Sequence, residues 1–293
     1  MKGYQLGLYE KAMPSFLTWR EKLQCAGQAG FDYVEISIDE TDDRLSRLDW
    51  SAGERQQLVS LMEETGVPVR SMCLSGHRKY PLGSHDEATR QRGMDIMAKA
   101  VRLAEDLGVR TIQLAGYDVY YEEGDETTRR YFAENLQKAA ELAAAGGVAL
   151  GFETMETEFM NTVEKAMAYV DRVDSPYLGV YPDIGNITNA AKTYGTDVLE
   201  DLETGRGHLM AMHLKETVPG VFREVPFGTG HVNFEAAIAK AWSLGVRRYV
   251  TEMWYTGSES WKEDIAFANG MMSPILNRQS KQTARCRKKT TYK

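Results

Sequence analysis

Hydrophobic and polar positions along the chain form a pattern that repeats eight times. Short aliphatic and β-branched runs, typical of parallel strands buried on both faces, alternate with longer stretches whose apolar residues recur at helical spacing. The predicted strands are 4–8, 33–38, 69–74, 111–115, 149–153, 178–183, 209–214 and 248–252. The predicted helices lie near 16–29, 53–65, 85–107, 127–145, 162–173, 197–203, 234–244 and 260–276.

The residues between these runs support the same division. Glycine follows several helical stretches just before the next strand, as at Gly66 and Gly108, where helices commonly end. The segment 84–87, Ser-His-Asp-Glu, has the form of a capping box that opens the third helix. Eight strand–helix units without a linker predict an α/β fold, a single (β/α)₈ TIM barrel over residues 1–277. An open doubly wound sheet is the alternative, but the first turn, 9–11, lacks the glycines of a dinucleotide site.

Composition and charge narrow the class of protein. The chain has 293 residues, 43% hydrophobic and 26% charged, which is typical of a globular protein. Its net charge of -7 combines a body at -14 with a basic tail, 278–293, that carries +7 and is expected to be a disordered, solvated end. So acidic a body disfavours a nucleic-acid partner. No run long and apolar enough for a membrane span occurs, and three cysteines without CxxC spacing suit reduced thiols, so we expect a cytoplasmic protein.

Four potential metal ligands fall at the ends of the last four predicted strands. They are Glu153, Asp183, His213 and Glu252, one on each strand. Because barrel enzymes place their chemistry at the carboxyl ends of the strands, we expect these side chains to meet. Oxygen-rich ligands with one imidazole suit Mn²⁺, Mg²⁺, Co²⁺ or Zn²⁺, so the pattern predicts a divalent metal site.

Other polar residues also lie near strand ends. Glu35 and Gln113 either bond the hydroxyls of a ligand or are satisfied barrel residues, and His231 is either a substrate contact or a solvated loop residue. Several cationic and hydroxyl side chains lie in loops after strands or at a helix start, where they could bind an anionic group. They are Lys11, Ser75, His77, Arg78, Arg90 and Lys215.

Several stretches resemble one family of enzymes. They are LGLYEKAMP (6–14), FDYVEISIDETDDRLSRLDWS (31–51), SMCLSGHRKYPLGS (71–84), IQLAGYDVYY (112–121), YPDIGN (181–186), HLKETVPGVFREVPFGTG (213–230) and EMW (252–254). The sequence resembles the sugar-phosphate epimerases of the xylose-isomerase-like barrel superfamily, in particular L-ribulose-5-phosphate 3-epimerases, some of which are labelled hexulose-6-phosphate isomerases. The resemblance covers about residues 4 to 276, and the tail from Arg278 matches nothing in it.

The resemblance implies an activity and roles for the strand-end residues. It implies an isomerase that interconverts L-xylulose 5-phosphate and L-ribulose 5-phosphate, a small ketose phosphate, in a homodimer. Glu153, Asp183, His213 and Glu252 carry over as the metal ligands, and Glu153 and Glu252 also as the proton-transfer pair. Such a pair would remove the C3 proton on one face of the sugar and return it on the other through an enediolate.

Three other functions remain as alternatives. An aldose–ketose isomerase would move hydrogen between C1 and C2 with the same metal and carboxylates. A DNA-repair endonuclease on this barrel would need several zinc ions and more than the five histidines present. A noncatalytic sugar-phosphate-binding protein would be expected to lack the four ligands, all of which this sequence has.

Overall fold

Eight parallel strands form one sheet. The computed structural model describes residues 2–290, with side chains described through Ala284. The strands are β1 (Gln5–Tyr9), β2 (Tyr33–Ile38), β3 (Val69–Leu74), β4 (Thr111–Ala115), β5 (Ala149–Glu153), β6 (Leu178–Val180), β7 (Met212–Leu214) and β8 (Arg248–Thr251). Their order in the sheet is β6-β5-β4-β3-β2-β1-β8-β7. All paired strands run parallel, as expected for strands joined by helical crossovers.

Helices connect successive strands and cover the outside of the sheet. They are α1 (Trp19–Gln28), α2 (Asp42–Ser46), α3 (Ala52–Thr65), α4 (Glu87–Leu107), α5 (Glu126–Ala145), α6 (Val163–Val173), α7 (Ile184–Tyr194), α8 (Val198–Thr204), α9 (Phe234–Ser243) and α10 (Trp261–Thr290). Short 3-10 turns occupy Glu10–Ala12, Arg47–Asp49, Gly76–Arg78 and Glu158–Met160. The predicted (β/α)₈ barrel is confirmed.

The barrel closes between β6 and β7 through isolated contacts. Single bridges join Val180 to Leu209 and Asp183 to His213. The backbone N–H groups of Val180, Met210 and His213 each donate across this gap over 2.9 Å. We call this junction the β6–β7 seam; it has isolated bridges only, whereas β5–β6 and β7–β8 each pair at three positions.

Side chains alternate along each strand between two buried layers. In β2, Val34, Ile36 and Ile38 pack outward into the main aliphatic core beneath the helices. Tyr33 belongs to a separate buried cluster inside the barrel, with Tyr9, Cys73, Tyr181, Ala211 and Val250. Glu35 lies on the same inward face of β2 as Tyr33, so a carboxylate stands inside the barrel.

The helix boundaries follow from capping side chains. Thr18 with Glu21 and Ser51 with Glu54 form capping boxes that begin α1 and α3. The predicted box at 84–87 is wrong: Asp86 caps α4 by accepting from Thr89, and the Ser84 hydroxyl instead accepts from the Asp86 N–H. Asp86 directly precedes the first helical residue, so its carboxylate is the group within reach of the free N–H groups.

The carboxyl-terminal helix extends into the predicted tail. Helix α10 runs to Thr290, so the expectation of disorder from residue 278 is not met in the described residues. Arg278 pairs with Glu235 at 2.9 Å, and the Trp242 indole N–H donates to Thr283 over 2.8 Å. These contacts hold α10 against α9. The run of positive charge in the sequence does not predict such packing.

Two further properties of the described residues concern membrane-spanning helices and cysteines. None of their helices has the length and apolar character needed to cross a membrane. Cys25 and Cys73 are buried free thiols.

Candidate active site

The four predicted ligands converge at the carboxyl end of the barrel. Glu153 ends β5, Asp183 lies three residues after β6, His213 lies in β7, and Glu252 follows β8. All four are buried, and one ligand atom from each lies within 4.8 Å of those of the others. The ends of four consecutive barrel strands, β5 to β8, thus bring together residues up to 99 positions apart in the chain.

His213 connects this cluster to the barrel interior. Its Nδ1 lies 3.1 Å from Glu153 Oε1 and 3.3 Å from Glu252 Oε2, while its Nε2 lies 2.6 Å from Glu35 Oε1. A carboxylate only accepts, so Nε2 carries a proton and Nδ1 is the nitrogen turned toward the cluster.

Glu35 therefore serves the histidine and does not face a sugar. Its other oxygen accepts from Ser71 at 2.6 Å and from Tyr181 at 3.0 Å, and the side chain is fully buried. Of the two interpretations of Glu35, the satisfied barrel residue is the one observed. Gln113 likewise donates to Glu153 Oε2. Glu35 thus orients His213, and Gln113 orients Glu153, by hydrogen bonding, as outer partners do in metal sites.

The two oxygens of Asp183 have different partners. Oδ1 accepts from the Asn186 N–H over 2.7 Å and caps α7, a helix that the sequence pattern does not predict. Oδ2 points into the cluster, 3.0 Å from Lys215 Nζ. Lys215 Nζ also lies 3.4 Å from Glu252 Oε2, so one buried ammonium pairs with two carboxylates.

The pKa values of the three carboxyl groups in the cluster differ because their surroundings differ. Burial, followed by the charge of Glu252, raises the pKa of Glu153, and burial raises that of Asp183 well above its usual range. Glu252 is equally buried, yet the charges of Lys215 and His213 hold its pKa well below the usual value. Burial lowers the pKa of His213, but Glu35 and Glu252 together raise it well above the ordinary value.

These donors suit a divalent cation. Asp183 Oδ2 and Glu252 Oε2 are buried oxygens that accept no hydrogen bond of good geometry from the described residues, despite the nearby lysine. A buried anionic oxygen without a hydrogen bond is costly, and coordination to a cation satisfies it. Three carboxylates and one imidazole form the donor set that Mn²⁺, Mg²⁺, Co²⁺ and Zn²⁺ accept.

A cavity opens above the cluster. The cavity is lined by three charged residues of the cluster, Glu153, Glu252 and Lys215. It is also lined by two aromatic side chains, Tyr9 and Trp254, whose rings pack edge to face. The remaining lining residues come from β3, from α7 and from the connections after β1, β3, β5 and β7: Lys11, Cys73, Ser75, Arg78, Met155, Glu156, Asn186, Phe222 and Arg223.

The structure brings some of the predicted substrate-binding residues to this cavity and not others. Lys11, Ser75, Arg78 and Lys215 line it. His77 does not: its Nε2 lies 3.1 Å from the Gly93 carbonyl on α4, and burial lowers its pKa to about 4. The side chain of His77 is therefore directed to α4 and is not among the residues that line the cavity.

Arg90 is also placed away from the cavity. Its guanidinium donates to the carbonyls of Ser84 and His85 and lies 4.0 Å from the ring centroid of Tyr131. Arg90 thus stabilises the segment just before α4. His231 shares a hydrogen bond of 3.0 Å with Thr217 and lines a separate groove beside α7 and α9.

Arg223 lines the cavity but is absent from the residues predicted from the sequence. It lies in the long connection after β7, nine residues beyond Leu214. Arg223 lies in the stretch 213–230, which resembles the epimerases. That resemblance is the feature of the sequence from which a role for Arg223 could have been inferred. The position of Arg223 in a loop gives no periodicity from which an orientation could be inferred.

Comparison with known proteins places the fold and the sequence in one group. Residues 23–271 match the family model described as a xylose isomerase-like TIM barrel. The SgbU protein of Escherichia coli K12 is 50% identical over 272 residues, 90% of this chain and 93% of that protein. L-ribulose-5-phosphate 3-epimerase UlaE of Escherichia coli SMS-3-5 is 47% identical over 268 residues, 91% and 93% of the two chains.

Solved structures agree on the fold. An L-ribulose 3-epimerase superposes with a TM-score of 0.79 at 18% identity, covering 97% of each chain. A D-allulose 3-epimerase from Methylomonas sp., solved with D-allulose, gives 0.76 at 19% identity, covering 94% of this chain and 98% of that one. A TIM barrel protein from Mycobacterium smegmatis, solved with magnesium, gives 0.71 at 15% identity, covering 96% and 99%.

The eight-stranded barrel and the matched family model define the class. The chain belongs to the xylose isomerase-like TIM barrel family and, within it, to the L-ribulose-5-phosphate 3-epimerases, which are isomerases. The resemblance inferred from the sequence motifs is confirmed.

Proposed function

We propose that this protein interconverts L-ribulose 5-phosphate and L-xylulose 5-phosphate by inverting C3. The observation that carries the proposal is the position of Glu153 and Glu252. They reach one cavity from β5 and β8, which are not neighbours in the barrel, and both contact His213 Nδ1 from different directions. A substrate lying between them is exposed to one carboxyl group on each side.

Inversion at C3 requires a base on one face of the sugar and an acid on the other. The two glutamates are held in different electrostatic surroundings, since burial and the charge of Glu252 raise the pKa of Glu153 whereas Lys215 and His213 lower that of Glu252. An ionised Glu252 beside a protonated Glu153 is the pairing needed for one direction, and the roles exchange in the other.

The negative charge that develops on the substrate needs stabilisation. A divalent ion held by Glu153, Asp183, His213 and Glu252 would supply Lewis-acid stabilisation of the enediolate oxygens. Lys215 Nζ, between Asp183 and Glu252, is the protein's own cation at this end of the cavity. Its ammonium would donate to a sugar oxygen, and Trp254, 5.9 Å from that nitrogen, would shield the reacting carbon from water.

The donor set and the lining of the cavity suggest the finer features of this proposal. We propose Mn²⁺, Zn²⁺, Mg²⁺ or Co²⁺ as the metal from the donor set. We propose Lys11, Ser75 and Arg78 as substrate contacts because they line the cavity. A cytoplasmic setting is supported by the buried free thiols of Cys25 and Cys73, and a homodimer by the family resemblance.

The test is proton NMR of L-xylulose 5-phosphate with the purified protein in D₂O. With Mn²⁺ or Zn²⁺ present we expect L-ribulose 5-phosphate to form with deuterium at C3, and excess chelator should abolish the reaction. An aldose product with deuterium at C2, or deuterium at C1 of the ketose, would instead establish the C1–C2 isomerase. Calorimetric binding of the sugar phosphate without turnover under any of the four metals would indicate a binding protein.

A further inference from the structure

Glu216 is a buried carboxylate whose partners are backbone N–H groups. It follows Lys215 just after β7, and the residue is 3% exposed. Its Oε1 accepts from the N–H of Thr217 and from that of Val232, each over 3.2 Å, and its Oε2 accepts from that of Gly228 over 3.1 Å. Because a buried carboxylate is costly unless it is hydrogen-bonded, these three N–H groups stabilise Glu216 in this position.

These hydrogen bonds join the two ends of the long connection between β7 and α9, residues 215–233. Glu216 lies at its beginning, and Gly228 and Val232 lie near its end. A further bond joins the same ends, because the His231 N–H donates to the Thr217 carbonyl over 3.0 Å. We call these joined ends the neck. A connection of this length without a helix or strand is uncommon in a compact domain and is usually functional.

Gly230 allows the backbone to pass close to the Glu216 side chain. A Cβ atom added at Gly230 would lie 2.3 Å from Glu216 Oε1 and 2.2 Å from the Thr217 carbonyl oxygen. Both distances are too short for any non-bonded contact, so a side chain at this position would force the neck apart. The close approach of the chain to this carboxylate therefore requires glycine.

The connection that the neck closes forms part of the wall of the active-site cavity. Phe222 and Arg223 line that cavity, and the residues that follow, 224–227, line a second cavity on the side of α10. Lys215 and Trp254 line both cavities, so the two adjoin at this wall. Opening of the neck would free residues 222–227 to move and would leave the active-site cavity incomplete.

From this geometry we propose that Glu216 is a positioning residue for the epimerase reaction. Its oxygens bond the backbone of the connection, so it acts on the substrate through the wall that it holds in place. The proposal rests on the proposed function and adds a residue that sets how tightly the substrate is bound. If the neck is open in part of the molecules, the apparent affinity for substrate falls by the fraction that remains closed, whereas the bound complex reacts at its usual rate.

The experiment separates positioning from stability with matched variants. KM and kcat for L-ribulose 5-phosphate are measured with Mn²⁺ in Glu216→Ala, Glu216→Gln and Gly230→Ala. Asp201→Ala is the control, because Asp201 also accepts from two backbone N–H groups, those of Val163 and Glu164, but at the start of α6 and away from the cavity. Thermal denaturation checks that each variant is folded.

We expect KM to rise about tenfold in Glu216→Ala and Gly230→Ala, and about threefold in Glu216→Gln, which keeps one acceptor oxygen. The value of kcat should stay within about twofold of the wild type. Asp201→Ala should lower Tm without changing KM. An unchanged KM in Glu216→Ala, or an equal rise of KM in Asp201→Ala, would overturn the proposal.

Hydrogen exchange measures closure of the neck without substrate or metal. The amides of Gly228 and Val232 should exchange about tenfold faster in Glu216→Ala than in the wild type, and at the wild-type rate in Asp201→Ala. Equal exchange in Glu216→Ala and the wild type would also overturn the proposal. If the wild type epimerises no sugar phosphate, the proposed function fails, and the exchange rates alone still decide whether Glu216 holds the connection.

Discussion

At the scale of single residues, the site depends on side chains that never face the substrate. Glu35 is fully buried and gives its two oxygens to His213, Ser71 and Tyr181. This fixes which nitrogen of His213 is turned toward Glu153 and Glu252. Such a partner determines the position and basicity of a ligand without entering the reaction.

Glu35→Gln should therefore weaken metal binding while preserving the chemistry. An amide accepts less strongly from His213 Nε2, so we expect the affinity for Mn²⁺ to fall about 10-fold to 100-fold. Isothermal titration of the metal-free variant measures this directly. Saturating Mn²⁺ should restore most of kcat. An unchanged affinity would mean that Glu35 contributes to packing only.

Glu153→Gln and Glu252→Gln should each abolish epimerisation without unfolding the barrel. An amide cannot transfer the proton, and a positioned acid or base contributes about 10²- to 10⁴-fold to the rate. The NMR assay measures turnover and thermal denaturation measures the fold. Glu158→Gln, at an exposed position five residues past Glu153, is the control. Near-wild-type epimerisation by either active-site variant would refute the acid–base assignment.

At the scale of elements, the turn after β1 is anchored by a buried ionic cluster. Glu10 is fully buried, and its carboxylate accepts from Arg44, Arg47 and Lys22, with 2.7 Å to the lysine. Arg44 lies in α2 and Arg47 in the 3-10 turn after it, within the long stretch 31–51 that matches the epimerases. That stretch therefore has a structural role, because it holds the loop that carries Lys11 to the cavity.

Removing this carboxylate should be strongly destabilising. Glu10→Gln leaves three cations without their common anion, and breaking such a buried network costs about 3–5 kcal/mol. Urea denaturation at neutral pH measures the loss. Glu21→Gln offers a comparison with an exposed capping-box glutamate, and we expect a change of about 1 kcal/mol or less there.

The same cluster predicts how stability depends on acid. Burial opposes the charge of Glu10, but Arg47, Lys22 and Arg44 lower its pKa far below the usual 4.5. Its contribution is thus complete above pH 4.5, where the unfolded carboxyl is also ionised, and is lost as the pH falls below it, because only the unfolded state then takes up a proton. Urea titrations between pH 6 and pH 3 should show a shallower decline for Glu10→Gln than for the wild type.

Helix α10 makes a testable contribution through its extension. A chain that ends at Asn277 loses the bonds from Trp242 to Thr283 and from Gly3 to Ser280, and the Arg278 pair with Glu235. We expect a loss of about 2 kcal/mol, or roughly 4 °C in Tm, by calorimetry. A chain that ends at Ala284 keeps all three contacts and should match the full chain. Equal Tm values for the two truncations would show that these contacts contribute nothing.

At the scale of the whole molecule, the sequence predicts what periodicity and strand position determine. Tyr33–Ile38 and Ala149–Glu153 coincide with predicted strands because each is a short apolar run with sharp ends. The four ligands are predictable because a barrel directs strand ends to one face. Helix α7 is not predicted: its buried residues include the polar Asn186, Thr188 and Asn189, so burial there does not follow the apolar positions from which a helix is inferred.

Residues in loops are the least predictable part of the site. The orientation of Arg223 depends on Asn189, a residue of a different element that holds the loop by two hydrogen bonds. His77 and Arg78 are adjacent in sequence, yet one packs on α4 and the other lines the cavity. Neighbouring loop residues diverge in this way because tertiary contacts, and not spacing, set their directions.

The β6–β7 seam gives the metal site a mechanical consequence. Asp183 and His213 stand on opposite sides of the junction and form one of its two bridges, so an ion bound by both would clasp the ends of the sheet together. Amides of Val180, Met210 and His213, which donate across the junction, should exchange with deuterium more slowly once Mn²⁺ is added. The exchange rates of amides between β3 and β4 should change little. Metal binding and closure of the barrel at the seam would then be one event.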